Sequence, residues 1–351
     1  MLHPFRYGST MKQLFVGLLL LMLSLASFSQ EKVVAKNGDG IYSLLRNHGR
    51  NPAEYLQAFI ELNRANLGKD HSLFIGRTYT IPPLKSKTSM LTTPEEALVT
   101  PGPQKQIRSY EIFGPKYREV EIVSNQLKGA IYYLLAGHGG PDPGAVGKYG
   151  KHQLCEDEYA YDVVLRLGRE LIAQGAIVYI ITRDPSDGIR DSEILRCDRD
   201  EVCYPNLSIP LDHNKRLAQR KNAVNKLFAK NKGAYQRLIV VHLDSRSKGE
   251  DTDVYFYHDK RSDLGQRLCE NLHQSMKEKY EEHQPGRGYH GTIGTRGLFM
   301  LRYTHPVTAF IELGNIQNSR DQKRFILPSN RQALAEWLAF GLMRDYRESR
   351  K

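Results

Sequence analysis

The stretch AIYYLLAGHGGPDPGA (residues 130–145) joins an apolar run to a turn rich in glycine and proline. The run at 130–135 predicts a buried strand because it is short, apolar and bounded by turn signals. Glycines flank His138, so the backbone can turn sharply there and leave the imidazole exposed at the end of the strand. A histidine in that position is a poor filler for a core, and we treat it as a candidate functional residue.

Short apolar strands alternate with amphipathic helices from this stretch to the C-terminus. We expect strands at 130–135, 176–182, 238–242, 253–257 and 309–313, and helices at 159–174, 214–231, 264–280 and 331–346. Such alternation predicts an α/β fold with a mostly parallel sheet that helices flank on both faces. Active sites in these sheets lie beyond the strand ends, where the notable polar residues of this sequence fall.

Three further residues complete a candidate site. Glu156 begins the helix after the glycine-rich turn, His242 ends an apolar strand, and Glu312 lies within the apolar segment AFIELG. Burying an unpaired carboxylate costs on the order of several kcal/mol, so Glu312 needs a compensating partner. Two histidines and one glutamate form a known catalytic zinc set, and a second carboxylate can then transfer the proton.

Several segments resemble the zinc-dependent N-acetylmuramoyl-L-alanine amidases of the AmiC type. They are GHGG (137–140), DPGA (142–145), EDEYAYDVVLRL (156–167), ITRD (181–184), VVH (240–242) and IELGNIQN (311–318), in the family's order. The resemblance implies a phosphorylase/hydrolase-like amidase fold. It also implies hydrolysis of the amide between the lactyl group of N-acetylmuramic acid and L-alanine in peptidoglycan. One Zn²⁺ per chain would be held by His138, Glu156 and His242, with Glu312 as general acid/base.

Two features of this region leave alternatives open. Glu158 competes with Glu156 as a metal ligand, and we prefer Glu156 because it keeps Leu165 and Leu167 in register with the family's apolar positions. Residues 185–212 look like an insertion, which forms either a lid or rim over the substrate groove or a surface loop.

Residues 32–83 form a separate unit with the expected order strand, helix, helix, strand. Its Asn-Gly-Asp turn (37–39), ELN (61–63) and YTIP (79–82) resemble a LysM domain, which implies a peptidoglycan-binding module. Residues 84–106 are rich in Thr, Pro, Lys and Ser, which is the composition of a linker. The zinc amidase catalytic domain is then expected at 107–351.

The N-terminal residues 1–29 have the features of a secretory signal peptide: a positive start, a short apolar run and small residues before a cut after Ser29. Removing Arg6 and Lys12 with this peptide lowers the formal net charge from +11 to +9. We therefore expect an exported protein, periplasmic or associated with the cell wall, without an integral membrane segment in the mature chain. The sequence offers no basic block with interleaved aromatics, so nucleic acid is not an expected partner.

Four cysteines are present in this chain with an export signal. Cys197 and Cys203 lie six residues apart in a polar segment, and we expect them to close a small disulfide loop. None of the cysteines has the close spacing of a thiolate zinc site.

Alternative functions follow from the same residues. A zinc peptidase or carboxypeptidase acting on the stem peptide is the nearest rival, and a non-catalytic wall-binding protein is the other. The chain reaches the strand at 253 about ten residues after His242, which is too short for the inhibitory helix of some amidases. We therefore expect no activator protein.

Overall fold

The computed structural model describes residues 31–36, 39–50, 52–68, 72–84, 106–244 and 253–351. The expected signal peptide and nearly all of the expected linker lie outside the described residues. The chain divides into two compact units, Met1–Leu98 and Val99–Lys351. Each unit has its own apolar core, and we describe them separately.

The first unit has the order strand, helix, helix, strand. Its elements are β1 (Lys32–Val34), α1 (Ile41–Asn47), α2 (Pro52–Asn63) and β2 (Thr78–Thr80), and β1 pairs with β2 in antiparallel fashion. The buried Asn63 side chain bonds both the N–H and the carbonyl of Thr80, each at 2.8 Å. This amide fixes the end of α2 to β2, because a buried polar group is stable only when it is hydrogen-bonded.

The second unit contains the remaining elements. The strands are β3 (Ile107–Ser109), β4 (Glu119–Glu121), β5 (Ala130–Ala136), β6 (Val146–Tyr149), β7 (His152–Cys155), β8 (Ile177–Ile180), β9 (Thr182–Arg183), β10 (Val202–Cys203), β11 (Leu207–Ser208), β12 (Tyr235–Asp244), β13 (Tyr255–His258), β14 (Thr292–Thr295) and β15 (Val307–Asn315). The helices are α3 (Glu156–Ala173), α4 (His213–Lys230), α5 (Asp263–His283), α6 (Phe299–Tyr303), α7 (Ser319–Ile326) and α8 (Pro328–Glu348).

Six of these strands form one sheet in the order β14-β13-β15-β12-β5-β8. The pairs β8/β5, β5/β12, β12/β15 and β13/β14 are parallel, and only β13 and β15 run antiparallel. The predicted α/β fold with a mostly parallel sheet is confirmed.

The sheet is covered on both faces, and β5 shows why its sequence is a continuous apolar run. All seven of its residues are buried. Tyr132 and Leu134 pack into the core under α3, α5 and α8, whereas Tyr133 and Leu135 pack into the opposite core with residues of α4 and α6. Because successive side chains of a strand point to opposite faces, a strand covered on both sides needs apolar residues at every position.

The β6/β7 hairpin between β5 and α3 was not part of the sequence prediction. It pairs Val146 with Cys155, and α3 follows it directly. The helix begins at Glu156, as expected for that residue, which is three residues before the range predicted from the apolar pattern. The predicted strand at 176–182 is also divided: β8 joins the main sheet, and β9 pairs with β10 in a separate three-stranded sheet.

The expected Cys197–Cys203 disulfide is wrong. Cys197 is bonded to Cys155, with the two Cα atoms 5.7 Å apart, and Cys203 is a buried free thiol. The reason is the strand β10, which places Cys203 in an apolar core with Ile181 and Ile209. Short sequence spacing does not show which way the two side chains point.

No helix within the described ranges has both the length and the apolar character needed to span a bilayer.

Candidate active site

The backbone at the end of β5 holds His138 in an unusual conformation. Its φ is +61°, in the left-handed region that few residues other than glycine adopt. The preceding Gly137 donates its N–H to the carbonyl of Val241 at 2.8 Å, which brings this turn against the end of β12. A side chain at Gly137 would collide with the His242 ring, because a Cβ there would lie 2.1 Å from the nearest ring atom. Glycine is therefore required for the two histidines to approach.

Glu156 is the first residue of α3 and is only 3% exposed. Its Oε2 accepts the N–H of Ala145 at 2.8 Å, and its Oε1 accepts the N–H of Leu243 at 3.0 Å. The positive end of the helix dipole also favours a carboxylate at this position. Burial raises the pKa of Glu156, but hydrogen bonds from His138 and His242 outweigh burial and lower it. The carboxylate is thus ionised and fixed in place.

The two histidines meet on this carboxylate. His138 Nε2 lies 3.3 Å from Glu156 Oε2, and His242 Nδ1 lies 2.8 Å from Glu156 Oε1. The two imidazole rings stand edge to face with their centroids 4.8 Å apart, and Phe310 stacks on His242 at 4.6 Å. Three elements far apart in the sequence therefore deliver three ligand-type side chains to one point.

The donor set fits a zinc ion. One ligand atom from each of His138, Glu156 and His242 lies within 4.8 Å of the others. Tetrahedral zinc with bonds of about 2.0–2.1 Å places neighbouring donor atoms about 3.4 Å apart, so small movements would complete the geometry. Two imidazoles, one carboxylate and an open fourth position are the donor chemistry of catalytic zinc sites.

The carboxylate of Asp142 contacts Nδ1 of His138, the ring nitrogen that does not face Glu156. Asp142 Oδ2 lies 3.0 Å from His138 Nδ1, and Arg216 donates to the same oxygen at 2.9 Å. Burial lowers the pKa of His138, but hydrogen bonds to Asp142 and Glu156 raise it to about 10. The two carboxylates therefore make this point attractive to positive charge. A carboxylate bonded to the far nitrogen of a ligand histidine fixes its tautomer, leaving Nε2 available to a metal.

Glu312 lies on β15 opposite His242 in the register of the parallel pair β12/β15. It is 9% exposed, and its Oε2 makes no hydrogen bond to any part of the chain that the structure describes. Burial, the charge of Glu156 and that of Asp244 raise its pKa to about 8. A carboxyl group that is buried, unbonded and poised near neutral pH is suited to take and return a proton.

These residues line one cleft of about 640 Å³. The site also contains three arginines, Arg216, Arg220 and Arg296, which the sequence analysis did not assign to it. All three arginines line the cleft, beside the apolar side chains of Phe299 and Met300. Buried Arg220 also donates to the carbonyl of His138, which supports the strained turn. Arg216 and Arg220 lie one turn apart on α4, whereas Arg296 follows β14, and no local sequence pattern marks any of them as a cleft residue.

The alternative ligand Glu158 points away from the histidines. Its Oε2 accepts from Arg190 at 2.7 Å, and its Oε1 accepts the N–H of Asp198 at 2.9 Å. The inserted segment 185–212 is not merely a surface loop, since Ile209 is buried and Glu201 accepts a hydrogen bond from the N–H of Gly140. The insertion therefore packs against the turn that carries His138.

We expect Gly137→Ala to weaken metal binding and lower catalytic activity by roughly 10–100-fold, as a change in the support of a metal ligand typically does. The physical reason is the collision with the His242 ring described above. Gly294→Ala is the matched control, because its Cβ would meet Tyr257 at an ordinary 3.5 Å. Metal analysis and turnover of both variants check the prediction, and an unimpaired Gly137→Ala protein would contradict this geometry.

Residues 133–344 match the Amidase_3 family, described as N-acetylmuramoyl-L-alanine amidase. Among solved structures, the amidase AmiC2 of Nostoc punctiforme is 16% identical, with a TM-score of 0.44, covering 62% of this chain and 98% of that one. The CwlD amidase from Clostridioides difficile, solved in complex with the GerS lipoprotein, is 19% identical with a TM-score of 0.46, covering 62% and 98%. The amidase Ami1 from Mycobacterium smegmatis is 14% identical with a TM-score of 0.46, covering 63% and 99%.

No curated protein matches the sequence. The family match spans more than half of the chain, from the middle of β5 into α8. The chain therefore belongs to the Amidase_3 family of N-acetylmuramoyl-L-alanine amidases.

Proposed function

We propose that this chain is a zinc-dependent peptidoglycan amidase whose ion is held by His138, Glu156 and His242. The observation that carries the proposal is the convergence of these three side chains within 4.8 Å, in a cleft that also holds the unbonded carboxyl of Glu312. The bond cut is the amide between the lactyl group of N-acetylmuramic acid and L-alanine. Family membership supports this reaction class.

Several residues of the chain have separate roles in hydrolysis. A bound Zn²⁺ would act as a Lewis acid, which polarises the scissile carbonyl and makes water a better nucleophile. Glu312 takes a proton from the attacking water and delivers it to the leaving nitrogen. A C–O bond forms, the C–N bond breaks, and the products are the lactyl carboxylate and a peptide with a free L-alanine amine. Asp142 keeps His138 in the tautomer that leaves Nε2 unprotonated.

The charge of the cleft suits the substrate. Arg216, Arg220 and Arg296 line it together with the candidate zinc residues. Stem peptides carry free carboxylates, and arginine recognises carboxylates through paired N–H donors. We propose that Arg296, which is only partly buried and faces the cleft, contributes to holding the peptide side of the substrate.

The first unit and the N-terminal segment are part of the same proposal. Residues 32–83 would act as a LysM-like module that holds the enzyme on its polymeric substrate, which raises the local substrate concentration. Residues 1–29 would direct export to the periplasm or the cell wall. We further propose that the enzyme acts without an activator protein; residues 245–252, which bear on this point, lie outside the described residues.

Mass spectrometry of digested peptidoglycan tests the reaction. The purified zinc-loaded chain should release intact stem peptides that begin with L-alanine, together with glycan strands that retain the lactyl group. Cleavage within the stem peptide would instead identify a zinc peptidase or carboxypeptidase. A chain that binds zinc and wall material but releases no peptide would be a wall-binding protein, and the proposal would be wrong.

A further inference from the structure

A group of carboxylates lies behind the candidate zinc residues and plays no part in the mechanism above. Oxygens of Asp157, Glu158 and Glu201 lie within 4.8 Å of one another, and so do oxygens of Asp184, Asp198 and Glu201. We call these five residues the acidic cluster. It joins the first turn of α3, the end of β9 and the inserted segment.

Four of the five residues of the acidic cluster are buried and Asp198 is half-buried, unlike most groups of surface acids. Asp157 is 2% exposed and Asp184 is 4% exposed. The Oδ2 atoms of both residues, and Oδ1 of Asp198, make no hydrogen bond to any described residue. A buried polar atom without a partner is costly, and a buried charge without one is more costly still. These orphaned oxygens therefore call for a ligand.

Arg190 is the cation beside the acidic cluster, but it does not contact the orphaned oxygens. It donates to Glu158 and Asp187 and therefore neutralises charge at only one side of the acidic cluster. Within the described residues, the structure shows no ion pair for Asp157, Asp184, Asp198 or Glu201. Burial raises the pKa of Asp184 and of Glu201, and burial together with the charge of Glu158 raises the pKa of Asp198. Both effects disfavour the ionised form of these carboxyl groups while no cation is bound.

We propose that the acidic cluster is a second metal site, which takes a hard, oxygen-preferring divalent cation of the Ca²⁺ type. Its donors are carboxylate oxygens from three separate segments, with no imidazole or thiolate among them. Calcium takes six to eight oxygen ligands in flexible geometry, whereas zinc prefers nitrogen and sulfur. The chemistry of the donors therefore separates this site from the one at His138.

A cation here would couple the insertion to the active site. Glu201 reaches Gly140, two residues after His138, and Asp157 directly follows Glu156. The Cys155–Cys197 disulfide lies beside the same place, with Cys197 next to Asp198. The covalent bond and the ion would together hold the inserted segment against the turn that positions His138. The residues of the acidic cluster are thus positioning residues rather than catalytic ones.

Equilibrium dialysis of the full zinc-loaded chain against CaCl₂, followed by metal analysis, tests the proposal. We expect saturable binding of one Ca²⁺ in addition to zinc. At a hundredfold excess over the dissociation constant, the unfolding temperature should rise by roughly 5 °C or more. The proposal would be overturned if binding were not saturable up to millimolar Ca²⁺, or if the unfolding temperature did not change when Ca²⁺ is added.

Variants locate the ion. Glu201→Gln, which keeps an oxygen able to accept from Gly140, should weaken Ca²⁺ binding at least tenfold, whereas the exposed control Glu281→Gln should leave it unchanged. His138→Ala should still bind Ca²⁺, because this site does not use the zinc residues. Loss of Ca²⁺ binding in His138→Ala, with retention in Glu201→Gln, would assign the ion to the active site instead. None of these measurements depends on amidase activity.

Discussion

Glu312→Gln should lower the turnover number by on the order of 10²–10⁴-fold while zinc content stays near one ion per chain. The substitution preserves the shape of the side chain but removes its ability to accept and return a proton. Glu312 is not among the three side chains that converge on one point, so the ion should remain. The fold should also remain. The substitution replaces a buried carboxyl group, whose Oε2 has no hydrogen-bond partner among the described residues, with an amide that is never charged.

Turnover on peptidoglycan, zinc content and thermal unfolding, measured on the same preparation, separate these effects. Glu270→Gln is the matched control, since Glu270 is exposed on α5 and far from the chemistry in sequence and topology. Its turnover should equal that of the unmodified chain. A Glu312→Gln protein that keeps most of its activity would show that another group carries the proton.

The fold class and the candidate residues of the site could be predicted from local sequence patterns, whereas the assignment of metal ligands and of a general acid/base came from the resemblance to a family. The fully apolar β5 could be read as a buried parallel strand because both its faces are covered, and a histidine between glycines could be read as an exposed strand-end residue. Glu312 could be recognised inside the apolar β15 because a buried carboxylate is costly unless a partner compensates its charge. Such residues can be recognised in a sequence because their neighbours are not those expected around a purely structural residue.

Other features depend on contacts that local patterns do not encode. The Cys155–Cys197 disulfide joins residues 42 apart, and it exists because the β6/β7 hairpin and the insertion happen to pass each other. Arg220 looks like any helical arginine until its contact with the His138 carbonyl is seen. The insertion has the composition of a polar loop, yet tertiary packing buries Glu201 and half-buries Asp198. Charge and spacing alone could not distinguish these residues from surface ones.

His138→Ala should abolish both stoichiometric zinc binding and turnover. The variant removes the nitrogen that lies 3.3 Å from Glu156 Oε2 and leaves one histidine and one carboxylate, a set too small for a stable catalytic zinc site. It also leaves Asp142 without the imidazole to which it is bonded at 3.0 Å. The two losses should therefore appear together, in contrast to Glu312→Gln, which should separate them.

His213→Ala is the matched control, because His213 is an exposed histidine that lines the same cleft. It should keep zinc and most of its turnover, which excludes a general effect of deleting an imidazole near the substrate. Metal analysis after dialysis against a zinc buffer gives the comparison directly. One zinc per chain in His138→Ala would place the ion elsewhere and contradict the convergence of His138, Glu156 and His242 as its binding site. Loss of zinc with retained turnover would show that hydrolysis does not need the ion, and Glu312 would then have to act on water without it.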